Sequence, residues 1–347
     1  MGKTARSPSE QRKIDQLKVC LERDVQFDTI TTGFEKFAFT HQALPEFDFE
    51  EIDLSCHFLG KKLNAPFLIS PMTGGTELGA KINKNLARAA QFLNIGMAVG
   101  SQRVAIENPS LSYSFQVRDV APGILLMGNL GAVQLNNGFG VQECLLAVEM
   151  IEADGLFLHL NPLQEVSQDG GNVNFKKLLP KIQNICRSCP FPVFVKEVGN
   201  GISPEAASKM KNTGISGIDI SGAGGTSWVE VEKYRKQRKG DRALTEAFGG
   251  WGIPTAESLQ MVREEIDDLV VVASGGIRTG IDMAKAIALG ADLVGVALPL
   301  LRPAVESADA VIKVIKQILF EFQTTMFCIG AKNLADLRET PFLKVGL

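Results

Sequence analysis

A chain of 347 residues with 45% hydrophobic content and no low-complexity tract can bury a large core, as one big domain or two ordinary ones. Its formal net charge of -3 provides no general attraction for nucleic acid or an anionic membrane. No apolar run reaches the roughly 18 to 20 residues of a membrane span, and no N-terminal stretch joins a basic start to an apolar segment, so a cytoplasmic globular protein is expected.

The first 64 residues read as a polar N-terminal arm and an irregular stretch, expected to pack on the remainder of the chain. From there to the C-terminus, short apolar runs alternate with helical patterns. The runs are Pro66 to Met72, Gly96 to Ser101, Gly123 to Asn129, Gly155 to Asn161, Pro192 to Val198, Gly217 to Gly222, Leu269 to Gly275 and Leu293 to Leu300. Such runs, apolar on both faces and rich in Val, Ile and Leu, suit parallel strands covered on both sides. Between them, Gly79 to Leu93 carries apolar residues at helical spacing, and Thr279 to Leu289 repeats the pattern behind a threonine suited to an N-cap. Eight strand-then-helix units over residues 65–347, with no G-x-G-x-x-G, predict an α/β fold of the (β/α)8 TIM-barrel type, with an insertion after strand 6 at about 223–250.

Cys186 and Cys189 form a C-x-x-C at the end of a predicted helix, whereas a redox pair needs the helix N-terminus to lower its thiol pKa. Six cysteines spread over this length fit reduced thiols better than a disulfide framework.

Chemistry on such a barrel gathers where the strands end. Those ends are rich in glycine and hydrogen-bonding side chains, among them Asn129, His159 to Glu165, Lys196 and Ser221 to Thr226. Gly275 and Gly276 let bare backbone approach a phosphate, Arg278 adds charge, and the helix opening near Thr279 is expected to point its positive end there. A tight turn is the plain alternative for the glycines. Lys196 stands in an otherwise apolar strand and needs an anionic partner, either a carboxylate such as Asp219 or a bound cofactor that becomes negative.

The segment Ser274 to Leu301 resembles the phosphate-binding region of FMN-dependent TIM-barrel enzymes such as the α-hydroxy-acid oxidases. More narrowly, PMTGG (Pro71 to Gly75), GSQR (Gly100 to Arg103), HLNPLQE (His159 to Glu165), VKEVGNGIS (Val195 to Ser203), SGAGGTSW (Ser221 to Trp228) and WGIPT (Trp251 to Thr255) together resemble the type 2 isopentenyl-diphosphate isomerase family. The likeness runs from Arg12 to the end of the barrel. It implies interconversion of isopentenyl and dimethylallyl diphosphates on reduced FMN, with NADPH as reductant, Mg²⁺ on the diphosphate, and a homo-oligomer such as a tetramer or octamer.

Carried over residue by residue, the resemblance implies FMN contacts at Met72, Thr73, Gly74, Ser101, Asn129, Lys196, Ser221, Thr226, Gly275, Gly276, Arg278, Ala297 and Leu298. It implies substrate contacts at Arg12, Lys13, Ser101, Gln102, Arg103, His159, Asn161 and Gln164, a metal ligand at Glu165, and catalytic roles for His159, Gln164 and Lys196.

The nearest rival is an FMN-dependent α-hydroxy-acid oxidase or dehydrogenase, which uses a His base and an Arg clamp on the loop after a late strand. Phe248 to Thr255 offers neither, and the three histidines, His41, His57 and His159, all lie in the first half. A bare flavin carrier has no use for a second anion site such as Arg12, Lys13 and Arg103. The basic run Lys233 to Lys239, bracketed by Glu230, Glu232 and Asp241, reads as a solvated face before a nucleic-acid patch.

Overall fold

The computed structural model describes residues 8–235 and 243–346. Eight parallel strands close into a barrel: β1 (Phe67–Ile69), β2 (Gly96–Ala98), β3 (Leu126–Gly131), β4 (Gly155–His159), β5 (Val193–Lys196), β6 (Gly217–Asp219), β7 (Val270–Ser274) and β8 (Leu293–Val296), with β8 returning to pair with β1. The eight apolar runs therefore are the barrel strands. The third is shifted: it starts at Leu126 rather than Gly123 and runs two residues past Asn129.

Alternation along each strand divides the core. Leu156, Leu158, Val193, Val195 and Ile218 point outward into the layer shared with the helices. Met127, Phe157, Phe194 and Val272 point inward and form an apolar layer with Leu68, Ala98 and Leu293. Above it the inward positions turn polar, because the strand ends bring Asn129, His159, Lys196, Asp219 and Ser274 to the same side. In register, His159 pairs with Lys196 and Lys196 with Asp219.

The stretch before the barrel is not wholly irregular. Cys56–Phe58 and Lys61–Leu63 form a hairpin whose Phe58 and Leu63 join the inner apolar layer, with the Phe58 and Phe194 ring centroids 5.7 Å apart. Lying immediately before β1, it closes the bottom of the barrel. Phe37–Phe39 pairs antiparallel with Leu343–Val345, tying the two ends of the chain together.

Helix α1 (Pro8–Glu22) lies over the mouth of its own barrel. Polar ties hold it there. Lys13 Nζ donates to the Ser101 carbonyl at 2.8 Å, Gln16 Nε2 to Glu232 Oε1 at 2.8 Å, and Arg302 to the Leu21 carbonyl at 2.6 Å. Leu17 adds its buried side chain. The predicted helices appear as α2 (Glu77–Leu93), capped by Thr76, and a helix at Gly280–Ala288, capped by Thr279. No helix of the described residues is long and apolar enough to cross a membrane.

Candidate functional site

One cavity opens at the C-terminal ends of the strands beneath α1, and it collects almost all of the expected residues. Met72, Thr73, Ser101, Asn129, Lys196, Ser221, Thr226, Gly275, Gly276, Arg278, Ala297 and Leu298 line it together with Arg12, Lys13, Arg103, His159, Asn161, Gln164 and Glu165. Arg12 and Lys13 reach it from within the same chain.

Two residues are placed otherwise. The Gln102 side chain is fully buried away from the lining, where its Nε2 donates to the Ala147 carbonyl at 2.7 Å and its Oε1 accepts the Asn129 N–H at 2.9 Å. Its amide is thus spent on fixing β3, and the expected substrate contact is not one its side chain is free to make. Gly74 also lies outside the lining. A Cβ there would sit 2.0 Å from the Phe115 ring, so this glycine makes room for packing.

The cavity floor is an electrostatic network. Lys196 Nζ donates to the Glu197 carbonyl and lies 3.5 Å from Asp219 Oδ2. Asp219, with no exposed surface, accepts at Oδ1 from Ser274 Oγ at 2.6 Å and from the Ser221 N–H at 3.2 Å. Its Oδ2 and the nearby Ser70 Oγ are buried without a hydrogen-bond partner among the described residues. Asp219 Oδ2 faces the Lys196 ammonium, whereas Ser70 lines the cavity, so its hydroxyl is one that a polar ring placed on the floor would satisfy.

His159 is neutral in this setting. Burial, then the charges of Lys196 and Lys13, push its imidazole down to about 3. Its Nδ1 lies 2.9 Å from Asn129 Oδ1, an oxygen that can only accept, so Nδ1 carries the proton and Nε2 is left as an acceptor. Positive charge at the mouth therefore comes from Arg12, Lys13 and Arg103. Burial, then the Arg12 charge, brings the Lys13 ammonium down to about 7. Arg12 is lowered by burial and by Arg103, with Glu165 acting in the opposite direction.

Across the mouth lie the glycine loops. Those after β6 and β7 touch so closely that a Cβ on Gly225 would sit 2.3 Å from the Gly276 nitrogen, and Gly275 and Gly276 bring bare backbone to the cavity wall. Arg278 stands beside them, its guanidinium donating to Gln26 Oε1 at 3.2 Å and to the Ile277 carbonyl at 3.1 Å.

The expected helix end is already occupied. Asp282 Oδ2 accepts from the N–H groups of Arg278 and Thr279, Thr279 Oγ1 from that of Asp282, and Glu321 from that of Gly280. Two carboxylates thus sit where an anion was expected. The helix after β8, Leu298–Glu306, starts instead from Ala297 with no side-chain cap, and its first residues line the cavity. Its positive end is the better placed for a phosphate.

Sequence reasoning missed Gln16, Gln134 and Gln168, which also line the cavity. Isolated glutamines outside the strand-end motifs carried no signal. The C-x-x-C is inert by position: Cys186 lies in the last turn of the helix Leu178–Ser188, and burial pushes its thiol up to about 11. Of the basic run, Lys233 pairs with Glu230 and Arg235 with buried Glu232, while residues 236–239 lie outside the described residues.

The sequence pattern of the FMN-dependent dehydrogenase family matches residues 5–108 and 161–344. Isopentenyl-diphosphate delta-isomerase of Nostoc sp. is 50% identical over 336 residues, covering 97% of this chain and 96% of that protein. The enzyme of the same name from Pyrococcus furiosus is 48% identical, covering 96% and 86%. Among solved structures, a flavocytochrome b2 variant superimposes with a TM-score of 0.67 at 19% identity, covering 95% of this chain and 83% of that one. A mandelate oxidase variant gives 0.64 at 17% identity, covering 99% and 94%. At those identities the structures speak for the barrel alone. With half of its residues identical over nearly the full length of both chains, this chain belongs to the isopentenyl-diphosphate delta-isomerases within the FMN-dependent dehydrogenase family.

Proposed function

We propose that this protein interconverts isopentenyl diphosphate and dimethylallyl diphosphate, with FMN on the cavity floor, NADPH as its reductant and Mg²⁺ at Glu165. The observation that carries the reading is a second anion site: Arg12, Lys13 and Arg103 meet Glu165 at the mouth, across the cavity from the glycine loops. One such site suits the FMN phosphate. The other suits a diphosphate, whose charge calls for several cations.

The floor fits a flavin through the unpartnered Ser70 Oγ, the backbone of Gly275 and Gly276, and Lys196. Bound there and reduced, FMN supplies proton donation and acceptance at carbon, which ordinary side-chain acids do poorly on an unactivated alkene. Lys196 would offset the negative charge of the reduced ring, and Asp219, 3.5 Å from its ammonium, would keep that charge oriented. Gln164 and neutral His159 border the alkene's position and hold it against the ring, while α1 excludes water. Glu165 fits a hard divalent cation by its donor chemistry, a carboxylate with the unpartnered Asn161 Oδ1 beside it.

The test is anaerobic incubation of the purified yellow protein with isopentenyl diphosphate, Mg²⁺ and NADPH, then assay for dimethylallyl diphosphate. No product with the flavin fully reduced sinks the proposal. Bleaching of the flavin by a 2-hydroxy acid would favour the oxidase chemistry of the distant barrels instead.

A further inference from the structure

Glu165 is gripped from three directions, and the number of donors restricts what it can still bind. Asn161 Nδ2 donates to Oε1 at 2.9 Å, while Gln168 Nε2 and the Asn172 N–H both donate to Oε2 at 2.5 Å. A carboxylate offers about four lone-pair positions, so three donors leave one, and it lies on Oε1.

Two of the three donors come from the turn after the short helix Pro162–Ser167. That turn folds back onto the helix so tightly that a Cβ on Gly171 would sit 1.8 Å from the Glu165 carbonyl oxygen. Gln168 is 8% exposed and lines the cavity, so its amide is held beside the ligand space.

We propose that Gln168, with the Asn172 N–H, is a positioning residue that locks Oε2, so that Glu165 offers a divalent cation one oxygen only and binds it appreciably only when a diphosphate supplies further oxygens. The inference rests on the proposed role of Glu165 as a metal ligand. It agrees with the rest of the site: among the described residues no group of three or more His, Cys, Asp or Glu could cage a metal alone. Mg²⁺ in such sites keeps several waters and is shared between one or two carboxylates and substrate phosphates. Without the Gln168 donor, Oε2 would keep one partner, and the carboxylate would be free to turn from the mouth and carry Oε1 away from the cation.

The experiment uses the FMN-loaded full chain, with Mn²⁺ as the spectroscopic probe and inorganic pyrophosphate as the companion ligand. Gln168→Met keeps the side-chain volume and removes the donor; Gln168→Ala is the second variant. Mn²⁺ titration by electron paramagnetic resonance should show binding to the native protein only with pyrophosphate present. Gln168→Met should weaken that binding by about 10- to 100-fold and raise the half-saturating Mg²⁺ for turnover by the same factor, with kcat at saturating Mg²⁺ within about threefold.

Mn²⁺ affinity in Gln168→Met within about twofold of native would overturn the proposal. Native binding of Mn²⁺ that is equally tight without pyrophosphate would overturn the single-oxygen assignment. Loss of FMN from both variants would mark Gln168 as structural and overturn it as well. A native protein that binds no Mn²⁺ even with pyrophosphate would remove the metal role of Glu165 itself, a failure distinct from that of Gln168.

Discussion

Lys13 changes charge within the working range of pH. Burial, then the Arg12 charge, holds its ammonium at about 7, far below the ordinary lysine value, so near neutral pH the empty site holds it partly as ammonium and partly as neutral amine. A bound diphosphate needs the charged form. Its affinity should therefore be greatest below pH 7 and fall as pH rises through it, by up to about tenfold per unit. The KM for isopentenyl diphosphate measured against pH checks this, and Lys13→Met should raise KM while flattening that limb; an unchanged profile would count against Lys13 as a diphosphate contact.

Glu165→Gln should keep the flavin and lose Mg²⁺ dependence together with turnover. Release of the flavin would make Glu165 structural. At the floor, Asp219→Asn leaves the Lys196 ammonium buried beside a neutral amide. Breaking a buried pair in this way typically costs about 3 to 5 kcal/mol, and urea unfolding of the flavin-free protein reads the loss. A cost below about 1 kcal/mol would show that Lys196 relaxes to another partner.

At the level of elements, the barrel strands were legible because parallel strands covered on both faces must be continuously apolar, as Val193 to Val195 are. The helix cap at Thr279 was legible for an equally local reason, a threonine with an acidic residue three positions on. What escaped depends on partners far away in sequence. Nothing around Phe37 announces that it pairs with Val345, and nothing around Gly280 announces the carboxylate of Glu321 at its N–H. Gln168 owes its place to a fold-back turn, which no periodicity encodes. The site motifs were legible because strand ends recur as compact polar stretches, but Gln102 shows the limit: a motif names the residue, and only packing decides which way its side chain turns. Helix α1 offers the clearest test at this scale. It contributes Arg12 and Lys13 to the mouth and little to the barrel's core, so a chain starting after Glu22 should stay folded and yellow while losing turnover by more than about 100-fold, roughly the worth of two charge-assisted contacts. Retained activity in that truncated chain would remove α1 from the site.

For the whole molecule, the arrangement is a stack: hairpin, apolar layer, polar floor, cavity, helix. Phe58 belongs to the lowest tier and packs against Phe194, so Phe58→Ala should open a cavity beneath the barrel and cost about 3 to 5 kcal/mol, read by denaturant unfolding. Turnover per folded molecule should be unchanged, because Phe58 lines no part of the cavity and packs against Phe194, two residues below Lys196 on β5. The hairpin also governs traffic. With the lower end plugged by Phe58 and Leu63, whatever enters must come through the mouth, and whatever lies deepest must enter first and leave last. If FMN takes the floor and the diphosphate the mouth, as proposed, flavin must load before substrate, and saturating diphosphate should slow the escape of FMN on dilution.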